Sequence, residues 1–171
     1  MTIKAELLAR LRVTQTGDND FGGVFTPEMQ ALVELADGTG ADQCDIAWFD
    51  ERTVADGAND DIDLAGALTD AFGASVAAAE LVALFVRNAP ISGAANTTTL
   101  TLGGAGSPVE GFLGGTSPTI GPLTPGAGAL LFAPGADGLG AVTAGSADEL
   151  RVANGSGAAA TYQIAVLARS A

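Results

Sequence analysis

The densest apolar run in the chain is Leu81-Val82-Ala83-Leu84-Phe85-Val86, closed by the turn formers Asn88-Ala89-Pro90. A run this short, bounded by such residues, predicts a strand buried on both faces rather than a helix. The Thr-rich run Thr97 to Leu102 predicts its partner strand, because β-branched side chains suit a pleated surface. Asn88 to Asn96 between them is too long for a two-residue hairpin and predicts a longer loop. At the N-terminus, Ile3, Leu7 and Leu11 recur every four residues with Leu8 beside them. That spacing predicts one apolar stripe on a short helix, with Lys4, Arg10 and Arg12 on its other faces. Two helical turns are marginal alone, so this arm must dock on its own core or on a neighbouring subunit. Thr14 to Gly23 is a polar, glycine-containing connector, so residues 1–27 read as an arm and 28–171 as the compact domain.

Within that domain, Met29 to Ala36 predicts a strand and Asp37-Gly38-Thr39-Gly40 its turn. Cys44 to Val54 predicts the next, with Cys44, Ile46 and Trp48 on one face and Asp45, Ala47 and Phe49 on the other. Trp48, the single tryptophan, anchors either a core or a subunit interface. Ile62 and Leu64 give a short alternating strand, and Leu68 to Gly73 a corner with Phe72 as its plug. Further short strands are expected at Val109–Leu113, Thr119–Ile120, Ala129–Phe132, Ala141–Thr143, Glu149–Ala153 and Thr161–Leu167. Gly, Pro and Ser turns separate them at intervals of about ten residues, the spacing of a sandwich or barrel. The expectation is an all-β, antiparallel, jelly-roll-like β-sandwich with an N-terminal arm or helix.

Composition narrows the partners. Twenty acids against seven bases leave a net charge of −13, which disfavours nucleic acid and anionic membrane surfaces. No stretch approaches the roughly 18 apolar residues that span a bilayer. Leu7-Leu8-Ala9 is too short for a signal-peptide core, so synthesis and folding in a cytoplasm are expected. The lone Cys44 has no partner for an intrachain disulfide and reads as a buried thiol.

Chemistry has few footholds. With no histidine, the familiar Ser-His-Asp, Cys-His and His-ligated zinc arrangements are excluded. No phosphate-cradling glycine motif occurs, and the many acids single out no glycosidase pair. The acidic turn Asp56, Asn59, Asp60, Asp61 and Asp63 is the one candidate for calcium, against the plainer reading of a solvated loop. No catalytic residue and no cofactor are expected. Asn96-Thr97-Thr98 and Asn154-Gly155-Ser156 fit the glycosylation pattern by chance.

The run Asp61-Ile62-Asp63-Leu64-Ala65-Gly66-Ala67-Leu68-Thr69-Asp70-Ala71-Phe72-Gly73 carries a resemblance, together with Glu80 to Asn88, Asn96 to Gly104 and Ala147 to Asn154. With the Tyr-containing last strand, these segments resemble a family of small tailed-phage virion proteins over about residues 45 to 168. The resemblance implies a capsid decoration (cement) or head-spike protein on the capsid surface, trimeric, bound to the major capsid protein and to copies of itself. Its contacts are expected from Ile3, Leu7, Leu8, Leu11, Arg10, Arg12 and Trp48. The alternative is a receptor- or carbohydrate-binding module of a tail or head fibre, with a shallow site in the Gly-rich stretch Gly103 to Gly128. The resemblance carries no catalytic residues.

Overall fold

The computed structural model describes residues 2–17, 22–114 and 118–171. Among them the chain is all β, with one 3-10 turn and no α-helix. The N-terminal strands are β1 (Ala5–Arg12), β2 (Gln15–Thr16), β3 (Val24–Phe25), β4 (Glu28–Asp37) and β5 (Gln43–Cys44). Next come β6 (Ile46–Val54), β7 (Asn59–Asp63), β8 (Ala65–Thr69), β9 (Ser75–Ala77), β10 (Glu80–Arg87) and β11 (Leu100–Gly103). The last are β12 (Thr119–Leu123), β13 (Gly128–Phe132), β14 (Gly140–Ala141), β15 (Glu149–Asn154) and β16 (Ala160–Arg169).

Two antiparallel sheets face each other. One has the order β13-β10-β16-β6, with β14 also on β10, and the other β12-β11-β15-β7. Between them lies the main core, built from Trp48, Ile62, Leu84, Val86, Leu100, Leu102, Leu150, Val152, Tyr162, Ile164 and Val166 among others. β10 is buried on both faces, as its apolar run requires: Leu81, Leu84 and Val86 join the main core, Val82 and Ala83 a second cluster on the outer side. A register shift between Leu81 and Ala83 lets these neighbours divide in that way.

Buried amides pin the crossing between the sheets. Asn88 donates to the carbonyls of Thr98 (2.9 Å) and Leu123 (2.8 Å), and its own side-chain oxygen accepts from Asn96 (2.6 Å). Asn154 donates to the carbonyls of Val54, Ala55 and Ala158 and accepts from the Thr98 hydroxyl. Both asparagines of the two glycosylation-like triplets are therefore spent inside the fold. Arg169 is 1% exposed and uses all five of its donors, on Glu80 and on the carbonyls of Gln43, Pro134, Gly135 and Ala136.

Several expectations need correction. The N-terminal segment is a strand and not a helix, because Ala5 and Ala9 fill the gaps between Ile3, Leu7 and Leu11 and turn a period of four into a period of two. The expected arm is one half of a hairpin whose return limb is β4, so the ribbon runs on to Asp37. Thr97 to Leu102 does not pair with β10. The strand it contributes to, β11, lies in the opposing sheet between β12 and β15. Val109–Leu113 is the 3-10 turn, not a strand. Phe72 plugs nothing: it is 82% exposed at the corner between β8 and β9. Cys44 parts from Ile46 and Trp48 because the chain bends at Asp45 between β5 and β6, which sends the thiol to the outer cluster.

Candidate functional site

The N-terminal ribbon leaves the body by an unusual turn. Gly38 holds φ +135, and a Cβ there would stand 2.6 Å from Gln43 Oε1, which itself accepts from the Gly40 N–H at 2.8 Å. Only glycine takes that backbone comfortably. β4 then pairs in parallel with β5, and Asp45 N–H donates to the Ala168 carbonyl, so the ribbon is tied to the edge of the β6-containing sheet.

From that root the ribbon keeps one register over its described length. Ala5 faces Leu35, Leu7 faces Val33, Ala9 faces Ala31 and Leu11 faces Met29. Val13 N–H donates to the Pro27 carbonyl, and Gln15 then faces Phe25. The ladder is interrupted at Pro27 because proline has no N–H to return. Opposed residues in an antiparallel pair share a face. One face of the ribbon is therefore apolar throughout its β1–β4 portion, while the other carries Glu6, Arg10, Arg12, Glu28, Gln30 and Glu34 around a single Leu8–Leu32 pair. Asp18 to Phe21, the middle of the expected polar connector, fall outside the described residues.

That apolar face has two fates. Near the root, Ala5, Leu7, Val33 and Leu35, with Ile3, pack on the outer side of the sheet against Ala47, Ala83, Phe132 and Leu167. Further out, Leu11 is 61% and Met29 72% exposed, and Val13 and Phe25 are also open.

The sheet surface under the ribbon has a matching layout, read directly from its registers. Ala47, Leu167, Ala83 and Phe132 form one row across the four strands, and the ribbon covers it. The next outward-facing row is Phe49, Ala165, Phe85 and Leu130, also wholly apolar. It lines a groove of about 540 Å³ beside β1. Phe49 is 69% exposed there. The row beyond is Glu51, Gln163, Arg87 and Gly128, where the surface turns polar. Among the described residues two apolar surfaces are thus left incompletely covered, the outer ribbon and the second row of the sheet, where Phe49 is open and Ala165, Phe85 and Leu130 are half-buried.

No protein-family model, curated protein or solved structure matches this chain.

The residues expected to make contacts separate in space. Leu11, Leu8, Arg10 and Arg12 lie on the exposed ribbon, and Ile3 and Leu7 on its docked root. Trp48 is 4% exposed in the main core, so of its two expected roles the structure shows the internal one. Met29, Phe25, Phe49, Phe85 and Leu130 were not anticipated. The alternation of Met29, Ala31, Val33 and Leu35, matched to that of β1, is the signal that finds Met29; Phe49, Phe85 and Leu130 come together only through the strand registers.

The acidic turn is occupied by the protein's own donors. Arg52 grips Asp60 through Nε (2.7 Å) and Nη2 (2.8 Å), and the Tyr162 hydroxyl donates to the same carboxylate at 2.8 Å. Burial raises the Asp60 carboxyl, but these hydrogen bonds and the Arg52 charge outweigh it and hold it below its ordinary value. Burial and the same carboxylate push the Tyr162 hydroxyl well up. Arg151 makes a two-pronged pair with Asp61 (2.6 and 2.8 Å), which lowers that carboxyl. Asp63 accepts from Ala65 N–H and Asp56 from Gly157 N–H, both at 2.7 Å. Asn59 sits in the β7–β15 ladder opposite Ala153. Among the described residues, no three Asp, Glu or Cys side chains gather as a metal site would need. Glu110 in the 3-10 turn is fully buried; its Oε1 accepts from Arg151 N–H at 3.1 Å and its Oε2 has no partner. Burial pushes its carboxyl up.

Proposed function

We propose that this chain is a non-enzymatic virion structural protein, a decoration or cement protein that stabilises a tailed-phage capsid as a trimer on the shell's outer surface. The observation that carries the reading is the ribbon whose apolar face continues past the body that covers its root. A two-stranded ribbon is marginal in water, and an apolar face of this length calls for a partner rather than a substrate. Assembly proteins of this kind act by burying complementary area, which needs no reactive group. Strand order supports the same view. Consecutive strands lie in opposite sheets at each position, β6 with β7, β16 with β15, β10 with β11 and β13 with β12. Such alternation is compatible with jelly-roll wrapping, an architecture common in viral capsid and lectin domains.

The test is the copy number of the chain in purified virions of the phage that encodes it, measured against the major capsid protein by quantitative mass spectrometry. A decoration protein is present in tens to hundreds of copies and stays with DNA-free shells. Absence from the particle, or a handful of copies that leave with the tail, would contradict the reading.

A further inference from the structure

We propose that the open end of the ribbon docks on the open apolar row of the sheet in a second copy of this chain. The inference deepens the assembly reading above and rests on it only in taking the ribbon as a contact element.

Three observations lead to this occupant. First, the contact already exists once within the chain. Ala5, Leu7, Val33 and Leu35 lie on the row Ala47, Leu167, Ala83 and Phe132. The ribbon repeats the same alternation outward without a change of register, to Ala9–Ala31 and Leu11–Met29. The sheet repeats an apolar row of the same strands in Phe49, Ala165, Phe85 and Leu130 before its surface turns polar. Each open surface continues a surface that is already satisfied by the other.

Second, the molecule cannot join its own two open surfaces. The ribbon is rooted by β5 at the edge of the sheet and lies over the first row, so the outer pairs point away from the body while the second row lies beside β1. One ribbon and one row are left over per chain. A second copy supplies the missing half of each.

Third, net charge opposes an indiscriminate contact. At −13, copies repel on approach, so an unspecific apolar contact is opposed. Because ribbon and row are different surfaces, the contact is head-to-tail, and it closes into a ring when the rotation between copies permits.

The test mixes two variants of the full chain with one added cysteine each, Leu11→Cys and Phe49→Cys, under mild oxidation. The native Cys44 is buried and does not compete. The expected result is a disulfide-linked dimer that forms from the mixture at least tenfold faster than from either variant alone, with the 11–49 cross-link found by peptide mass mapping. Native mass spectrometry of the unmodified chain is expected to show a closed oligomer, and Met29→Asp to reduce it to a monomer that has lost the concentration dependence of the melting temperature. A monomer at tens of micromolar would overturn the inference, as would linkage dominated by 11–11 pairs, which would place ribbon on ribbon. Neither result touches the virion reading, which is decided by copy number in the particle.

Discussion

The body and the ribbon are built from the same alternation of apolar and polar residues, yet they differ in who covers the apolar side. In the body, β10 and β16 bury their apolar residues within the chain apart from Phe85 and Ala165, and even the polar Asn88, Asn154 and Arg169 find their partners there. In the ribbon, the same kind of face is covered only at its root. The body is therefore stable by its own packing, whereas the outer ribbon is a marginal two-stranded element awaiting a surface. Position relative to the body, rather than composition, decides which part of the chain is available for function.

The sharpest way to break the contrast is to damage the body. Arg169→Ala leaves Glu80 and four carbonyls without their donor and is expected to cost about 3–5 kcal/mol in urea unfolding. Arg169→Lys is not expected to rescue, since an ammonium cannot reproduce the planar five-donor fork. Leu84→Ala, in the middle of the main core, is expected to cost about 2–5 kcal/mol.

A pH series sharpens the picture of the body's polar parts. Asp60 and Asp61 lie below their ordinary value of 3.8, so their stabilisation is complete above that pH and lost as pH falls through their lower folded values. Glu110 lies above its ordinary 4.5, which has the opposite sign: as pH rises past 4.5 the unfolded chain loses a proton that the fold retains, and stability falls. The melting temperature is therefore expected to peak in the mildly acid range, near 4 to 4.5, and to decline toward neutrality. In Glu110→Gln that decline should be shallower. A profile of wild type and variant that are parallel from pH 4.5 to 7 would contradict the burial of an ionisable Glu110.

At the small end, Leu11→Ser on the ribbon should change the stability of the isolated chain by no more than about 0.5 kcal/mol, as at other exposed positions. Measured beside Leu84→Ala, it gives the contrast in one experiment. A loss of several kcal/mol from Leu11→Ser in a monomeric sample would mean that the ribbon belongs to the body.

Much of the sandwich was legible in the sequence because its strands are short apolar runs between turn formers. Leu81–Val86, Ala129–Phe132 and Thr161–Leu167 all fall in strands of one sheet. The pairing of those strands was not legible, since β10 has three antiparallel or bridging neighbours, β13, β14 and β16, none adjacent in sequence. The crossing after Asn88 moves the chain to the other sheet, and only the bonds of Asn88 and Asn96 to distant carbonyls show it. At the N-terminus the period was misread because alanine is neutral between the helical and the extended pattern. Ala5 and Ala9 become informative only once Leu35 and Ala31 are known to stand opposite. The open row of the sheet was invisible for another reason. Phe49, Ala165, Phe85 and Leu130 come from four strands, and only the registers place them in line.

Amide hydrogen exchange at two protein concentrations tests most directly whether the ribbon depends on a second molecule while the body does not. On dilution from about 100 to about 1 micromolar, protection of Ala9 to Val13 is expected to fall at least tenfold while that of Leu84 and Ile164 stays constant. Protection of the ribbon that is strong and unchanged by dilution in a proven monomer would contradict the account.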